Sequence, residues 1–140
     1  MLRLSLAVSL LLAGPRHFDV SATFEAPEKP GAAGAIAVSF RALDPDVQVN
    51  ETPAPRIKLP ADGVLLDKQP PASEKMAPFD PATASYLDLS LPVHFPVAIA
   101  REAPRGTQQV PVTLTYFYCS KRAGWCRKGT SDLSVTVSVP

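Results

Sequence analysis

Apolar residues recur at every second position through much of this chain, the spacing of strands that bury one face. In AIAVSFRAL, residues 35–43, Ile36, Val38 and Phe40 share one face, while Ser39 and Arg41 take the other. Val47 and Val49 alternate with Gln48 and Asn50, and Ile57 and Leu59 with Arg56 and Lys58. Gly63-Val64-Leu65-Leu66 is a further short apolar run. The longest alternation covers residues 87–99, with Leu87, Leu89, Leu91, Val93, Phe95, Val97 and Ile99 on one side. Pro92 and Pro96 fall within it and cannot donate ladder hydrogen bonds, so the pattern predicts an edge strand or a strand broken in two. A turn follows at Pro104-Arg105-Gly106. Beyond it, Val110, Val112, Leu114, Tyr116 and Tyr118 share a face, and so do Leu133, Val135, Val137 and Val139. There is no internal repeat and no helical period. The pattern predicts an all-β domain of about seven to nine short strands, arranged as a sandwich.

Composition narrows this picture. With 140 residues, 46% of them hydrophobic and 19% charged, the chain suits one globular domain. Its 16 prolines argue against long helices and for short strands joined by stiff loops. A net charge of +1 gives no field suited to nucleic acid.

The N-terminus has the layout of an export signal. Met1-Leu2-Arg3 is a short basic start, and residues 4–13 (LSLAVSLLLA) form an apolar run too short to span a bilayer. Val20-Ser21-Ala22 offers small residues for cleavage after Ala22. On this reading, residues 1–22 are a signal peptide, 23–33 a loose leader and 34–140 the folded domain. Removing residues 1–22 takes away Arg3, Arg16 and Asp19, leaving 12 basic and 12 acidic residues. No other segment is apolar enough to cross a membrane. The mature chain is expected in an oxidising, extracytoplasmic space where a disulfide persists. The alternative for the N-terminus is a buried first strand or helix.

Residues 67–85 are rich in proline and polar side chains and predict the longest loop. Met76 and Phe79 are its large apolar residues, placed to anchor the loop on the sandwich or to cover a site.

Candidate chemistry concentrates at residues 116–129 (YFYCSKRAGWCRKG), which hold both cysteines. If the last two strands form an antiparallel hairpin, core must face core. Pairing Val112 with Leu133 then sets Val110 against Val135, Thr113 against Asp132 and Cys119 against Cys126. Direct cross-strand neighbours have Cα atoms about 4.5 Å apart in a non-hydrogen-bonded pair, within disulfide reach. Slipping by one residue turns one strand's core residues outward, whereas slipping by two keeps the faces. The same alternation puts Cys119 with Thr113, Thr115 and Phe117, away from the core, and so predicts sulfurs near the surface. Lys121, Arg122, Arg127 and Lys128 flank the pair, and nearby cations favour the thiolate. A closed loop of about eight residues gains only about 2–3 kcal/mol in the chain-entropy argument, which makes stapling the weaker explanation. Trp125 adjoins Cys126 and is placed to pack over the sulfurs, onto a partner, or onto its own strand.

Other chemistries find less support. Cys119, Cys126 and His94 do not have common zinc spacing, and His94 between prolines suits a solvated strand residue, so no metal and no cofactor are expected. No Ser-His-Asp order, phosphate-binding glycine loop or paired carboxylates stand out. Asn50-Glu51-Thr52 fits the glycosylation pattern, an accident in a chain with a bacterial-looking signal.

The stretch VTLTYFYCSKRAGWCRKG, residues 112–129, resembles the N-terminal periplasmic domain of the thiol:disulfide interchange protein DsbD family. The likeness rests on the Val112–Tyr116 strand, on Cys119, and on Ala123-Gly124-Trp125-Cys126. Upstream, Val47–Asn50, Arg56–Leu59 and Leu87–Val97 fit the family's strand order. The resemblance implies an immunoglobulin-like antiparallel β-sandwich and a redox pair, Cys119 and Cys126, that alternates between dithiol and disulfide. It also implies thioredoxin-like or other periplasmic disulfide-exchange proteins as partners. Three features depart from the family. The cysteine loop is one residue longer, the shielding cap loop has no clear counterpart (residues 62–80 are the candidate region), and no electron carrier follows Pro140. A separate protein is therefore expected as reductant.

Two functions remain. One is an exported thiol:disulfide exchange module, with Cys126 beside Arg127 slightly favoured as the attacking sulfur. The other is a non-catalytic immunoglobulin-like binding domain whose disulfide fixes a hairpin.

Overall fold

The computed structural model describes residues 16–28, 32–71 and 80–140. The apolar run 4–13 and the loop residues Met76 and Phe79 lie outside the described residues. Eight strands run in chain order: β1 (Phe18–Glu25), β2 (Gly34–Ala42), β3 (Val47–Val49), β4 (Arg56–Lys58), β5 (Leu65–Asp67), β6 (Val93–Ile99), β7 (Gly106–Ser120) and β8 (Trp125–Val139). No helix occurs among the described residues.

The strands form two sheets, and all their pairings are antiparallel. The first has the order β1-β2-β6-β5. The second is built on β7, with β8 along one edge and β3 and β4 along the other. The core lies between them. Phe18, Ile36, Val38, Phe40, Leu65, Phe95 and Val97 enter it from the first sheet. Val47, Val49, Ile57, Val110, Val112, Leu114, Tyr116, Val135 and Val137 enter it from the second. Apart from Phe18 and Leu65, these are the residues whose alternation marked one face of each strand, and the all-β sandwich follows from that periodicity.

The sandwich begins earlier than the boundary drawn at residue 34. Phe18, Val20, Ala22 and Phe24 alternate with Asp19, Ser21, Thr23 and Glu25, and the whole segment pairs with β2. Phe18 is buried against Phe40 and Tyr116 with edge-on rings. Asp19 sits opposite Arg41 in the register and accepts a hydrogen bond from it. That bond and the charges of Arg41 and Arg16 hold the Asp19 carboxyl below its ordinary value. Residues 23–25, expected in a loose leader, are therefore strand, and Val20-Ser21-Ala22 lies within β1.

Residues 87–99 divide as the prolines suggested, but β6 is a central strand rather than an edge. Residues 88–91 turn, with Asp88 accepting from the backbone and hydroxyl of Ser90, and Leu91 is left exposed. These two bonds lower the pKa of Asp88. Pro96 is tolerated inside β6 for a geometric reason. Its carbonyl accepts from Lys68 N at 3.0 Å, just past the end of β5. In a strand the nitrogen of the same residue points that way too, so the absent N–H is not needed by β2.

Candidate disulfide site

The β7–β8 hairpin places both cysteines. Its register sets Val110 opposite Val135, Val112 opposite Leu133 and Thr113 opposite Asp132. Carried to the tip, the same ladder sets Cys119 opposite Cys126. The two are bonded, with a Cα–Cα distance of 4.0 Å. The four residues Lys121–Gly124 close the hairpin. Ser120 accepts from Gly124 N through its carbonyl and from Ala123 N through its hydroxyl. Gly124 has φ +74°, a left-handed conformation that glycine adopts without a Cβ penalty.

The sulfurs lie on the outer face of the second sheet, as the alternation required, but Cys119 is not near the surface. It is fully buried, whereas Cys126 is only partly so. The expectation of two accessible sulfurs is corrected for Cys119. The cause is non-local. β3 pairs with the end of β7, with Gln48 opposite Cys119. Asn50 continues that line, its backbone N–H donating to Phe117 O at 2.8 Å. On its other side β3 is flanked by residues 85–87, through Glu51 N to Ser85 O, Leu87 N to Val49 O and a bridge between Asn50 and Tyr86. Asn50 is thereby 1% exposed, and its Oδ1 lies 3.1 Å from Cys119 Sγ. The Tyr86 hydroxyl donates to Pro81 O, and burial, then the Asp80 charge, pushes its pKa up.

Residues 62–80 were the candidate cover. Their described part goes elsewhere: β5 pairs with β6, and Gln69 clamps Ile57 of β4 through both its backbone N–H and its carbonyl. Among the described residues, shielding of Cys119 comes from Asn50, beside the chain at Tyr86.

The flanking residues separate into two groups. Lys128 is opposite Phe117 and shares the face of Cys126; these three and Arg127 line a shallow cleft of about 100 Å³. The other cations are turned to different tasks. The Arg127 guanidinium stacks 4.1 Å from the Trp125 ring centre, on the opposite face of β8 from the sulfur. Lys121 Nζ lies 4.9 Å from the centre of the Tyr86 ring, and Arg122 pairs with Asp46 at 3.3 Å. Trp125 does not cover the sulfurs. It packs with Tyr118 and His17, its ring centre 5.7 and 5.5 Å from theirs. Sequence position suggested Arg127 as the nearby cation, whereas strand alternation puts Lys128 on the face of Cys126. His94 lies on β6 of the first sheet, 3.3 Å from Glu25. Among the described residues, no group of three or more His, Cys, Asp or Glu is placed to hold a metal ion.

Asn50 is the site residue that the sequence reading missed. It stood in a strand alternation and a glycosylation pattern with no role at the cysteines, and a side chain so buried is no glycan acceptor in the folded domain. Pairing β3 against the end of β7 was the step that would have found it.

Fold and site together define an antiparallel β-sandwich with one buried and one approachable sulfur at a hairpin tip. No family model, no curated protein and no solved structure matches this chain.

Proposed function

We propose that the domain is an exported thiol:disulfide exchange module acting on thioredoxin-like partners. The observation that carries this reading is the asymmetry of the pair: Cys119 is sealed, while Cys126 opens on a cleft beside Phe117 and Lys128. A single approachable sulfur next to a cation suits ordered exchange, which needs one attacking and one resolving thiol. The resemblance around residues 112–129 supports the same reading.

In the reduced domain, the Cys126 thiolate attacks a sulfur of the partner's disulfide. A mixed disulfide forms and one partner thiolate leaves. Cys119, losing its proton, then attacks Cys126 Sγ. The intramolecular bond closes and the second partner thiolate departs, so two electrons have passed to the partner. The reverse sequence reduces the domain. No cofactor enters either direction.

Trapping tests this directly. Cys119→Ser leaves Cys126 without its resolving partner and should accumulate a mixed disulfide with a purified thioredoxin-fold protein, seen by non-reducing electrophoresis and peptide mass mapping. Cys126→Ser, whose remaining thiol is buried, should accumulate about tenfold less or none. If neither variant is captured, the domain is a binding module. The pairs Arg127–Trp125 and Lys121–Tyr86 would then be its rigid contact surface.

A further inference from the structure

The Asn50 carboxamide oxygen is aimed at a sulfur that carries no hydrogen. Oδ1 lies 3.1 Å from Cys119 Sγ, yet a disulfide sulfur has nothing to donate. Both groups are shut off from water, at 1% and 0% exposure. Water therefore has little access to fill the unused acceptor site, and the backbone holds Asn50 in place from two sides. Its N–H is spent on Phe117 O, and the neighbouring bridge to Tyr86 closes the other flank.

Reduction changes this balance. Two electrons and two protons convert the disulfide to two thiols. The proton on Cys119 then sits between Sγ and Oδ1, where an acceptor already waits. We propose that Asn50 is a positioning residue that favours the dithiol over the disulfide, by supplying a buried acceptor to the Cys119 thiol and none of equal worth to the oxidised pair. The effect is a more oxidising couple than the same hairpin would have without it. The consequence for exchange rests on the function proposed above; the shift in the couple does not.

The test is equilibration of the folded wild type, Asn50→Leu and Asn50→Ala against graded dithiothreitol, with thiol trapping. Removing one buried hydrogen bond should lower the dithiol:disulfide ratio of Asn50→Leu about fivefold, a shift of about 20 mV to more negative potential. Asn50→Ala should move the same way by less, because water can enter the space. Urea unfolding of each variant, oxidised and reduced, closes the cycle: the loss should be larger in the reduced form. The infrared S–H stretch of the reduced domain should also move to higher frequency in Asn50→Leu. Equal losses in both forms with an unchanged potential overturn the proposal and leave Asn50 a packing residue. A shift to more positive potential overturns it too, since the amide N–H would then face the sulfur. If Leu does not fold, the sign of the Asn50→Ala shift decides. Dithiothreitol reads the couple whether or not a protein partner is ever captured, so failure here and failure of the exchange reading are told apart.

Discussion

Gly129 lies opposite Tyr116 on the β7–β8 ladder, and the two are fitted to one another. A Cβ at Gly129 would stand 2.5 Å from the tyrosine ring, inside any real contact distance. The absent side chain is what lets the buried ring lie across β8 and reach Phe18 and Phe40. Gly129→Ala should therefore cost roughly 1–3 kcal/mol of stability as overpacking, measured by urea unfolding. Tyr116→Leu in the same chain should recover part of that loss. Residue-scale legibility was uneven. The pairing of Cys119 with Cys126 could be read because face parity along two long strands leaves few registers. The burial of Cys119 could not, because Asn50 comes from 69 positions upstream and meets it only after β3 docks, with Tyr86 bridged to the far side of Asn50.

At the scale of the element, β1 carries the clearest lesson. Its alternation, Phe18-x-Val20-x-Ala22-x-Phe24, is as regular as that of β2, yet the small residues within it also fit a cleavage motif. The structure shows what depends on the choice, since Phe18 is buried in the core beside Phe40, Tyr116 and Tyr118. A chain beginning at residue 23 should fail to show a cooperative melt, while one beginning at residue 16 should melt as the full domain does. Phe18→Ala in the latter should cost about 3–5 kcal/mol. If the protein is exported as proposed, N-terminal sequencing of the mature form should find cleavage upstream of Phe18 rather than after Ala22. The break in residues 87–99 was legible from Pro92. The central place of β6 was not, because a proline inside a central strand is tolerated only where its neighbour strand ends, and that is a property of β5.

For the whole molecule, the disulfide closes the hairpin at one end of the sandwich, and the main core lies between the two sheets. Most core residues of the hairpin, Val110, Val112, Leu114, Val135 and Val137, lie well below the tip, while Tyr116, Cys119 and Ser120 are buried near it. Cys119→Ala/Cys126→Ala should keep the fold and lose no more than about 2–3 kcal/mol, checked by urea unfolding and by retention of the β circular-dichroism signal. Collapse of the fold in that variant would make the bond a structural necessity. The overall architecture could be read from alternation and proline content alone, since two-residue periodicity with one buried face has few solutions beyond a sandwich or barrel.

The fifteen-residue ladder between β7 and β8 also acts when the bond is open. It keeps the two thiols as cross-strand neighbours through backbone hydrogen bonds that reduction does not touch. Each sulfur then sees the other at the high effective concentration of a preorganised intramolecular pair. Ring closure is then a local event, independent of protein concentration, and if the domain exchanges as proposed, a mixed disulfide on Cys126 should be short-lived.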